Sequence, residues 1–426
     1  MRVAHTARGL AAGSEPCDVL LVGGGPAGST AARLLAQLGW TVRLLDRARF
    51  PRPKPCGECL NPGAVAALER LGVLERVLAL QPASLDGWTV SAERAVARGR
   101  FPHGAGGLSL DRARLDAALL DAARAAGVEV VEGTRVTGLV HTAEEKRAGT
   151  VAVLTAAPGH PVHRARIVVG ADGLRSVVAR ALSAYRRSPR LRKLSITLHV
   201  EGAGLDPRQG RLWIDGEGTV GLAALDPDGR SWNATAVVDA DARGRAVAGD
   251  PVGFTLARLA ALLTGSAPRS AAAPRLVAGP WASGPFDWPT RRAVADRVVL
   301  VGDAAGYFDP LTGQGIYRAL RSAELAAQAI DRALRADRAF SADLAGYETA
   351  LRDELRAPLR VQRGVEAVIS RGPLRRGALA LLGRRTHPMD TLIAITGDLA
   401  PVRSLLRPTV WLRRTRSVEA RARGRP

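Results

Sequence analysis

A run of strand character, Val19-Leu20-Leu21-Val22, feeds without a break into glycines spaced G-x-G-x-x-G at Gly23, Gly25 and Gly28. Behind them Ala31, Leu34, Leu35 and Leu38 recur at the three- and four-residue spacing of an amphipathic helix. Few folds accept a strand that turns at once into a helix through three such glycines. Gly23 permits the tight turn, Gly25 lets a pyrophosphate approach the backbone, and Gly28 lets helix and strand pack closely. The free N–H groups of the first helical turn then face the phosphates, aided by the helix dipole. A second strand, Thr41 to Leu45, ends at Asp46, which lies 18 residues past Gly28. That is near the ~20 residues expected for a carboxylate that holds ribose hydroxyls. Strand, glycines, helix, strand and acid together predict a dinucleotide site.

Composition narrows the class. A chain of 426 residues with 46% hydrophobic content has core for two or three domains and room for a buried cofactor. Its three cysteines, Cys17, Cys56 and Cys59, are too few for a disulfide framework, so a reducing cytoplasm is expected. No stretch reaches the ~18 consecutive apolar residues of a membrane span, and no signal-peptide core is read at the N-terminus. The formal net charge of +21 comes almost wholly from arginine, the only lysines being Lys54, Lys146 and Lys193. Aromatic residues make up 4% of the chain, so the basic residues are not interleaved with stacking platforms and nucleic acid is not an expected partner. Attraction to acidic substrates or anionic surfaces fits the charge better, and the basic C-terminal region is a candidate for peripheral membrane contact. His160 and His163 sit in a polar loop without cysteine or acidic neighbours, so no metal site is expected.

Along the chain, residues 1 to 15 are small and polar and read as a disordered lead-in. Four prolines between Arg49 and Pro55 and at Pro62 stiffen the next segment and argue against regular structure there. Helical spacing resumes from about Ala64 to Leu80 with a break at Gly72, and Gly87 to Phe101 alternates like a hairpin. Gly104 to Gly107 reads as a flexible turn, Asp111 opens a helix to about Ala126, and a strand covers Val128 to Val131. Arg166 to Gly170 is a buried parallel strand that ends in Ala171-Asp172-Gly173, with Ser176 starting a short helix. From about 190 to 288 short alternating runs predominate, with one helix near Pro251 to Leu263. Val298 to Val301 restores the parallel strand, a long helix follows from about Gly315 to Ala336, and the tail from Phe340 to Leu412 is helical and Arg-rich. That tail is expected to close the pocket against the β-rich part, and Arg413 to Pro426 to be disordered.

The second informative stretch runs from Val301-Gly302-Asp303 to Gly313-Gln314-Gly315-Ile316. Asp303 stands at the carboxyl end of a strand, where open α/β sheets bind their ligands, and can accept hydrogen bonds from a polyol chain. Gly313 and Gly315 let the backbone approach a ring, and the helix behind them aims its positive end at it.

These three motifs, in this order over positions 17 to 320, resemble the p-hydroxybenzoate-hydroxylase-fold flavoproteins, which include monooxygenases, geranylgeranyl reductases and flavin-dependent halogenases. The resemblance implies an α/β fold: a Rossmann-like FAD-binding domain with an inserted β-rich substrate domain and C-terminal helices. The FAD-binding domain takes residues 15–85, 106–188 and 290–339, the substrate domain 86–105 and 189–289, and the C-terminal helical region 340–426. It implies FAD in an extended pose, with Gly23, Gly25, Pro26, Ala27 and Gly28 on the pyrophosphate and Asp46 with Arg47 on the adenosine side. Asp303 with Gly302 is placed on the ribityl chain, and Gly313, Gln314, Gly315 and Ile316 at the ring. Arg112 matches the family arginine that reaches towards the cofactor phosphates. Val136 belongs to the same cofactor set, and the Asp172-Gly173 turn is linked to FAD and to transient NAD(P)H contact.

Lys54-Pro55-Cys56-Gly57-Glu58 is similar to the K-x-C-G-[ED] segment of the geranylgeranyl reductase branch, where the cysteine sits near the flavin. That resemblance makes Cys56 and Glu58 the candidate catalytic residues and adds Cys56 and Gly57 to the cofactor contacts. Cys56 and Cys59 also spell C-x-x-C, but without a helix N-terminus, so Cys59 reads as packing. The aromatic Y/W-x-W-x-x-P signature of the reductases and halogenases is absent, since the corresponding stretch, Gly218 to Pro227, carries no aromatic residue. By subtraction the first expectation is an NAD(P)H-dependent monooxygenase that hydroxylates an aromatic or polyketide-type small molecule through a flavin C4a-hydroperoxide. The alternative is an FAD-dependent reductase of isoprenoid double bonds. Either way the expected partner is an apolar or aromatic small molecule, and the choice between NADH and NADPH stays open.

Overall fold

A computed structural model describes residues 15–93, 95–156, 162–186, 189, 191–264 and 273–412. The lead-in up to residue 14, His160, and Arg413 to Pro426 lie outside the described residues.

Val19, Leu20 and Leu21 are fully buried, as a strand covered on both faces must be. Their strand, Cys17–Val22, is central in a parallel sheet, flanked by Val162–Gly170 on one side and Val42–Leu45 on the other. Glu129–Val131 extends the sheet beyond Val42–Leu45, and Val298–Leu300 extends it beyond Val162–Gly170, both in parallel. An antiparallel pair, Val136–Val140 and Val151–Thr155, branches off Val162–Gly170. The helices Pro26–Gln37 and Gly315–Arg335 pack together on this sheet, and their alanines (Ala31, Ala32, Ala323, Ala326) allow close approach. The carboxyl ends of the central strands therefore open onto the Gly-rich turn, the Ala171–Gly173 turn and Asp303, which places all three motifs at one edge.

The second sheet has seven strands in the order Arg275–Ser283, Lys193–Glu201, Ser231–Asp239, Gly218–Ala224, Gln209–Asp215, Gly87–Ala92 and Ala95–Arg100. Its alternation sorts two kinds of side chain. Ile196, Leu198 and Val200, with Ala234, Ala236 and Val238, face the helix Pro251–Leu263 through Leu259 and Leu263. The opposite face carries Ser195, Thr197, His199, Asn233 and Thr235, which are buried although polar. The loop Cys56–Glu58 lies against that polar face.

Several elements were not expected. Ala240–Gly249 is a second helix beside Pro251–Leu263, and Ala143–Ala148 is a short helix between the strands Val136–Val140 and Val151–Thr155. Cys59–Leu60, in the proline-rich segment, pairs with Gly107–Ser109, which pairs in turn with Ala83–Leu85. The prolines all precede or follow this two-residue strand, so none removes a ladder hydrogen bond.

The tail forms helices Ser341–Ile369, Gly372–Gly383 and Thr386–Thr396, a turn of 3-10 helix at Val402–Leu406 and a last helix Pro408–Leu412. Leu379, Met389 and Ile393 pack on Ala97 of the second sheet, on Phe101 just past its edge strand and on Leu85 of the small sheet. Tyr347 donates its hydroxyl to the Leu300 carbonyl at 2.6 Å, which ties the long helix to the first sheet. Asp398 completes the closure. Its Oδ2 accepts from Asn61 Nδ2 and its Oδ1 from Gln314 Nε2, both at 2.7 Å.

Burial pushes the Asp398 carboxyl up to about 6, against the opposing pull of those two hydrogen bonds. Between the unfolded value of about 4 and this folded value, the native chain keeps a proton that the unfolded chain has released. Stability from this group is therefore fully present below pH ~4 and is lost as pH rises towards ~6. The stability difference between wild type and Asp398→Asn is expected to fall by on the order of 1–3 kcal/mol from pH 4 to 7. Urea unfolding of both proteins across that range measures it, and parallel profiles would contradict the assignment.

Candidate active site

The Gly-rich turn is built to receive an anion. A Cβ on Gly28 would stand 1.8 Å from the Gly23 carbonyl oxygen, so only glycine fits where helix meets strand. Gly25 occupies the N-cap without a side-chain cap, which leaves the first N–H groups of Pro26–Gln37 for a ligand. Asp46 is buried and accepts from Gly24 N at 2.7 Å and from Ala48 N at 2.8 Å, which fixes its carboxylate beside the turn. Arg52 leans over Gly25 and pairs with Asp116 at 3.3 Å. The far end offers a second open helix start: Gln314 caps Gly315–Arg335 with no side-chain bond, and Gly313 and Gly315 have no neighbour that a Cβ would meet. Asp303 stands between the two on a 3-10 turn, held by Gly302 N donating to Ser322 Oγ at 2.9 Å. Two uncapped helix starts, a glycine cradle and two carboxylates along one groove fit FAD in the extended pose.

A cavity of about 690 Å³ runs from this groove to the C-terminal helices. Gly25, Pro26, Ala27, Cys56, Gly57, Glu58, Arg112, Gly302, Asp303, Gly313, Gly315 and Ile316 all line it. Gly23, Gly28 and Asp46 shape the turn from behind. Four other expected contacts do not line the cavity: Arg47 is exposed, Val136 is in the core of the first sheet, Asp172 turns back to cap Val177 N, and Gln314 turns to Asp398. Among the described residues Asp172 Oδ1 has no hydrogen-bond partner, and burial holds its carboxyl above the usual range.

The Cys56–Glu58 loop is held from three sides. Glu58 is 2% exposed and has a φ of +57°, a conformation unfavourable for a side chain with a Cβ. Its Oε1 accepts from the Arg112 backbone N–H at 2.9 Å; its Oε2 accepts from Asn233 Nδ2 at 2.9 Å and lies 2.8 Å from His199 Nε2. Asn233 Nδ2 also donates to the Cys56 carbonyl at 2.8 Å, and Thr235 Oγ1 does so at 3.3 Å. Burial works against protonation of His199, but the hydrogen bond and charge of Glu58, with Asp111, outweigh it and hold its pKa above the ordinary value. Glu58, Asp111 and His199 lie within 4.8 Å of one another, a spacing that also suits a cation. Because Oε1 and Oε2 already take N–H donors, the arrangement is better described as a buried acid–base pair.

Charge around Cys56 is positive. Arg112 makes a bidentate pair with Asp116 at 2.8 and 2.9 Å, and its guanidinium lies beside the Cys56 thiol. Burial disfavours the Arg112 charge, yet Asp116 and Cys56 raise its pKa further. Lys54 is set deep at the same place, and burial, then Arg112, pulls its ammonium pKa down. Cys59 differs. Its thiol donates to the Gly57 carbonyl at 3.1 Å, and burial pushes its pKa up to about 12, leaving it an unreactive packing group.

His199, Asn233 and Thr235 were not picked from the sequence. The available signal was the second sheet's alternation, in which one face of Lys193–Glu201 and Ser231–Asp239 carries Ser195, Thr197, His199, Asn233 and Thr235, with Val237 the apolar exception. Which strand faces the flavin groove is set by the fold, so alternation alone could not assign it.

The comparisons agree with this geometry. The FAD binding domain family matches residues 16–353. The menaquinone reductase of Mycolicibacterium smegmatis is 31% identical over 347 residues, covering 73% of this chain and 75% of the relative. A digeranylgeranylglycerophospholipid reductase of Methanopyrus kandleri is 29% identical over 378 residues, covering 83% and 90%. Among solved structures, the myxobacterial chondrochloren halogenase CndH, an FAD-dependent halogenase, superimposes with a TM-score of 0.69 at 26% identity, covering 80% of each chain.

Replacing Asp303 by Ala removes a carboxylate from the middle of the groove. A charge-assisted contact there contributes about 1.5–3 kcal/mol, so FAD affinity is expected to fall about 10- to 100-fold with folding intact. Fluorescence titration of the apoprotein with FAD measures this, and undiminished affinity would remove Asp303 from the cofactor set.

Proposed function

The chain belongs to the FAD binding domain family and is an FAD-dependent oxidoreductase of the p-hydroxybenzoate-hydroxylase fold, and from that premise we propose that it saturates carbon–carbon double bonds of a prenyl chain. The observation that carries this reading is the far half of the cavity. Away from the cofactor groove its lining is mostly apolar: Leu379, Leu382, Met389, Leu392 and Ile393 of the tail cluster there with Leu85, Val90, Trp88 and Phe101, and Arg375 is the charged side chain among them. Such walls offer area for a long hydrocarbon and few polar partners for a substituted ring. The two named relatives support the same class, since menaquinone and digeranylgeranylglycerophospholipid both carry isoprenoid chains.

Saturation needs a hydride for one carbon and a proton for the other. Bound FAD supplies the hydride, and NAD(P)H replenishes it as a transient co-substrate. The chain's own residues supply the rest. The apolar walls would exclude water and hold the hydrocarbon chain against the cofactor groove. Cys56 Sγ–H is the proton donor, and the Arg112 guanidinium lies beside it. Glu58 acts on the loop: through Arg112 N, Asn233 and His199 it fixes where the thiol stands. A proton drawn from water then restores the thiol.

Hydroxylation, placed first from the sequence, is favoured by one feature, the polar strip of Thr219, Asn233 and Thr235 on the wall nearer the loop, which suits a substrate hydroxyl. Oxygen stoichiometry separates the two readings. With NAD(P)H and a prenylated quinone under argon, the holoprotein is expected to give the dihydro-prenyl product. Cys56→Ala is expected to lose about 100-fold or more of that turnover while its flavin is still reduced at the wild-type rate. Turnover that requires one oxygen per product and yields an alcohol would replace this reading with the hydroxylase.

A further inference from the structure

The helix Gly372–Gly383 has two faces of different use. Leu379 and Leu382 look into the cavity. The opposite stripe, Arg371, Leu374, Gly377, Leu381 and Arg384, follows helical spacing and is exposed along its length. Leu374 is 52% exposed and Leu381 is 51% exposed, although nothing polar is gained by leaving them in water. The turn Val402–Leu406 repeats the pattern: Val402 and Leu405 line the cavity, and Leu406 is 83% exposed between Arg403 and Arg407. The helix and the turn are linked through the residues that follow each of them. Arg385 donates to the Trp411 carbonyl, and Trp411 Nε1 donates back to the Leu405 carbonyl at 2.8 Å.

We propose that this outer face, the helix Gly372–Gly383 with the turn Val402–Leu406, docks the protein on an anionic lipid bilayer. Charge selects the partner. Residues 371–412 contain seven arginines and two acidic residues. Both acids are engaged inward, Asp390 with Arg100 N and Asp398 with Asn61 and Gln314. Residues 413–426 add six arginines and one glutamate. Leucines spaced singly among arginines insert between headgroups while the guanidiniums pair with lipid phosphates, the pattern of an interfacial helix. The contact is peripheral, because no single described helix is long and apolar enough to cross a membrane. The same wall separates the lipid surface from the aliphatic cavity, so a chain leaving the bilayer would pass between helix and turn. This last step rests on the prenyl reading, whereas the docking does not.

The test is flotation of the FAD-loaded full chain with vesicles of phosphatidylcholine alone or with about one-third phosphatidylglycerol. Wild type is expected to float with the anionic vesicles only and to be released at about 0.3 M salt or above. The triple variant Leu374→Asp, Leu381→Asp, Leu406→Asp is expected to bind at least ~10-fold more weakly, with unchanged flavin content and unchanged NAD(P)H oxidation in detergent. The milder pair Arg371→Gln and Arg384→Gln, which adds no charge to the face, should weaken binding in the same direction. Equal flotation of wild type and triple variant would overturn the proposal. So would a wild type that ignores vesicles but forms a dimer the leucine substitutions dissolve, which would assign the face to a second copy. Failure of prenyl turnover alone, with flotation intact, would strike the substrate reading and leave the docking face standing.

Discussion

A carboxylate buried at the meeting point of three elements sets the geometry of this protein. Glu58 leaves its proline-rich loop in a left-handed conformation that costs about 1–2 kcal/mol and persists because its surroundings over-determine it. Its two oxygens take donors from the start of the helix Arg112–Ala125 and from two strands of the second sheet. A buried carboxylate without such donors would lose several kcal/mol of solvation, so the strands, the helix and the loop are obliged to meet there. Cys56 inherits its position from that meeting. Its carbonyl is held by Asn233 and Thr235, and its thiol is left facing Arg112 and the groove.

The same logic of shared polar partners links the tail to the ring end of the groove. Gln314, at the start of the helix Gly315–Arg335, donates to Asp398 and accepts from Thr312 Oγ1 at 3.1 Å. Thr312 Oγ1 in turn accepts from Gln362 Nε2 at 2.6 Å, and Gln362 Oε1 accepts from Arg318 Nη1 at 3.4 Å. The chain of bonds runs from the tail through the flavin turn to the long helix. A change in how the C-terminal layer sits is therefore felt at the open helix start that faces the ring. The cofactor groove and the apolar end of the cavity are continuous, so the two are coupled through these bonds.

The sequence showed the cofactor half well because its constraints are local. Gly28 must be glycine for contact with Gly23 five residues away, and Asp303 is read from the strand that carries it. The substrate half depends on pairings across long separations. Glu58 meets His199 over 141 residues, and Lys193 meets Glu366 over 173, so no spacing rule connects them. Arg112 was legible as a cofactor residue by resemblance, but its bidentate bond to Asp116, one helical turn on, is what orients it towards Cys56. The small sheet holding Cys59–Leu60 escaped notice because the segment's prolines outweigh two strand residues in any propensity count. The polar inner face of the second sheet could not be assigned to the pocket for a simpler reason: alternation tells which residues share a side and not what covers that side.

The absence of aromatic residues from the stretch Gly218 to Pro227 first spoke against a prenyl substrate, and the cavity shows why that inference is weak. An aromatic signature shapes one wall of a pocket, but the wall opposite is made by the tail, which lies beyond any of the three motifs. Here Met389, Leu392 and Ile393 come from one helix and Leu379 and Leu382 from another, and all five reach the same space. Flexible aliphatic side chains can follow the bends of a hydrocarbon more readily than rigid rings can. The selectivity that the stretch Gly218 to Pro227 does not encode with aromatic residues can thus reside in the C-terminal helices, on the same elements whose outer faces expose leucines and arginines. Substrate choice and access to the lipid that holds the substrate would then be carried by one layer of the fold, while the FAD groove and the Cys56–Glu58 loop carry the chemistry.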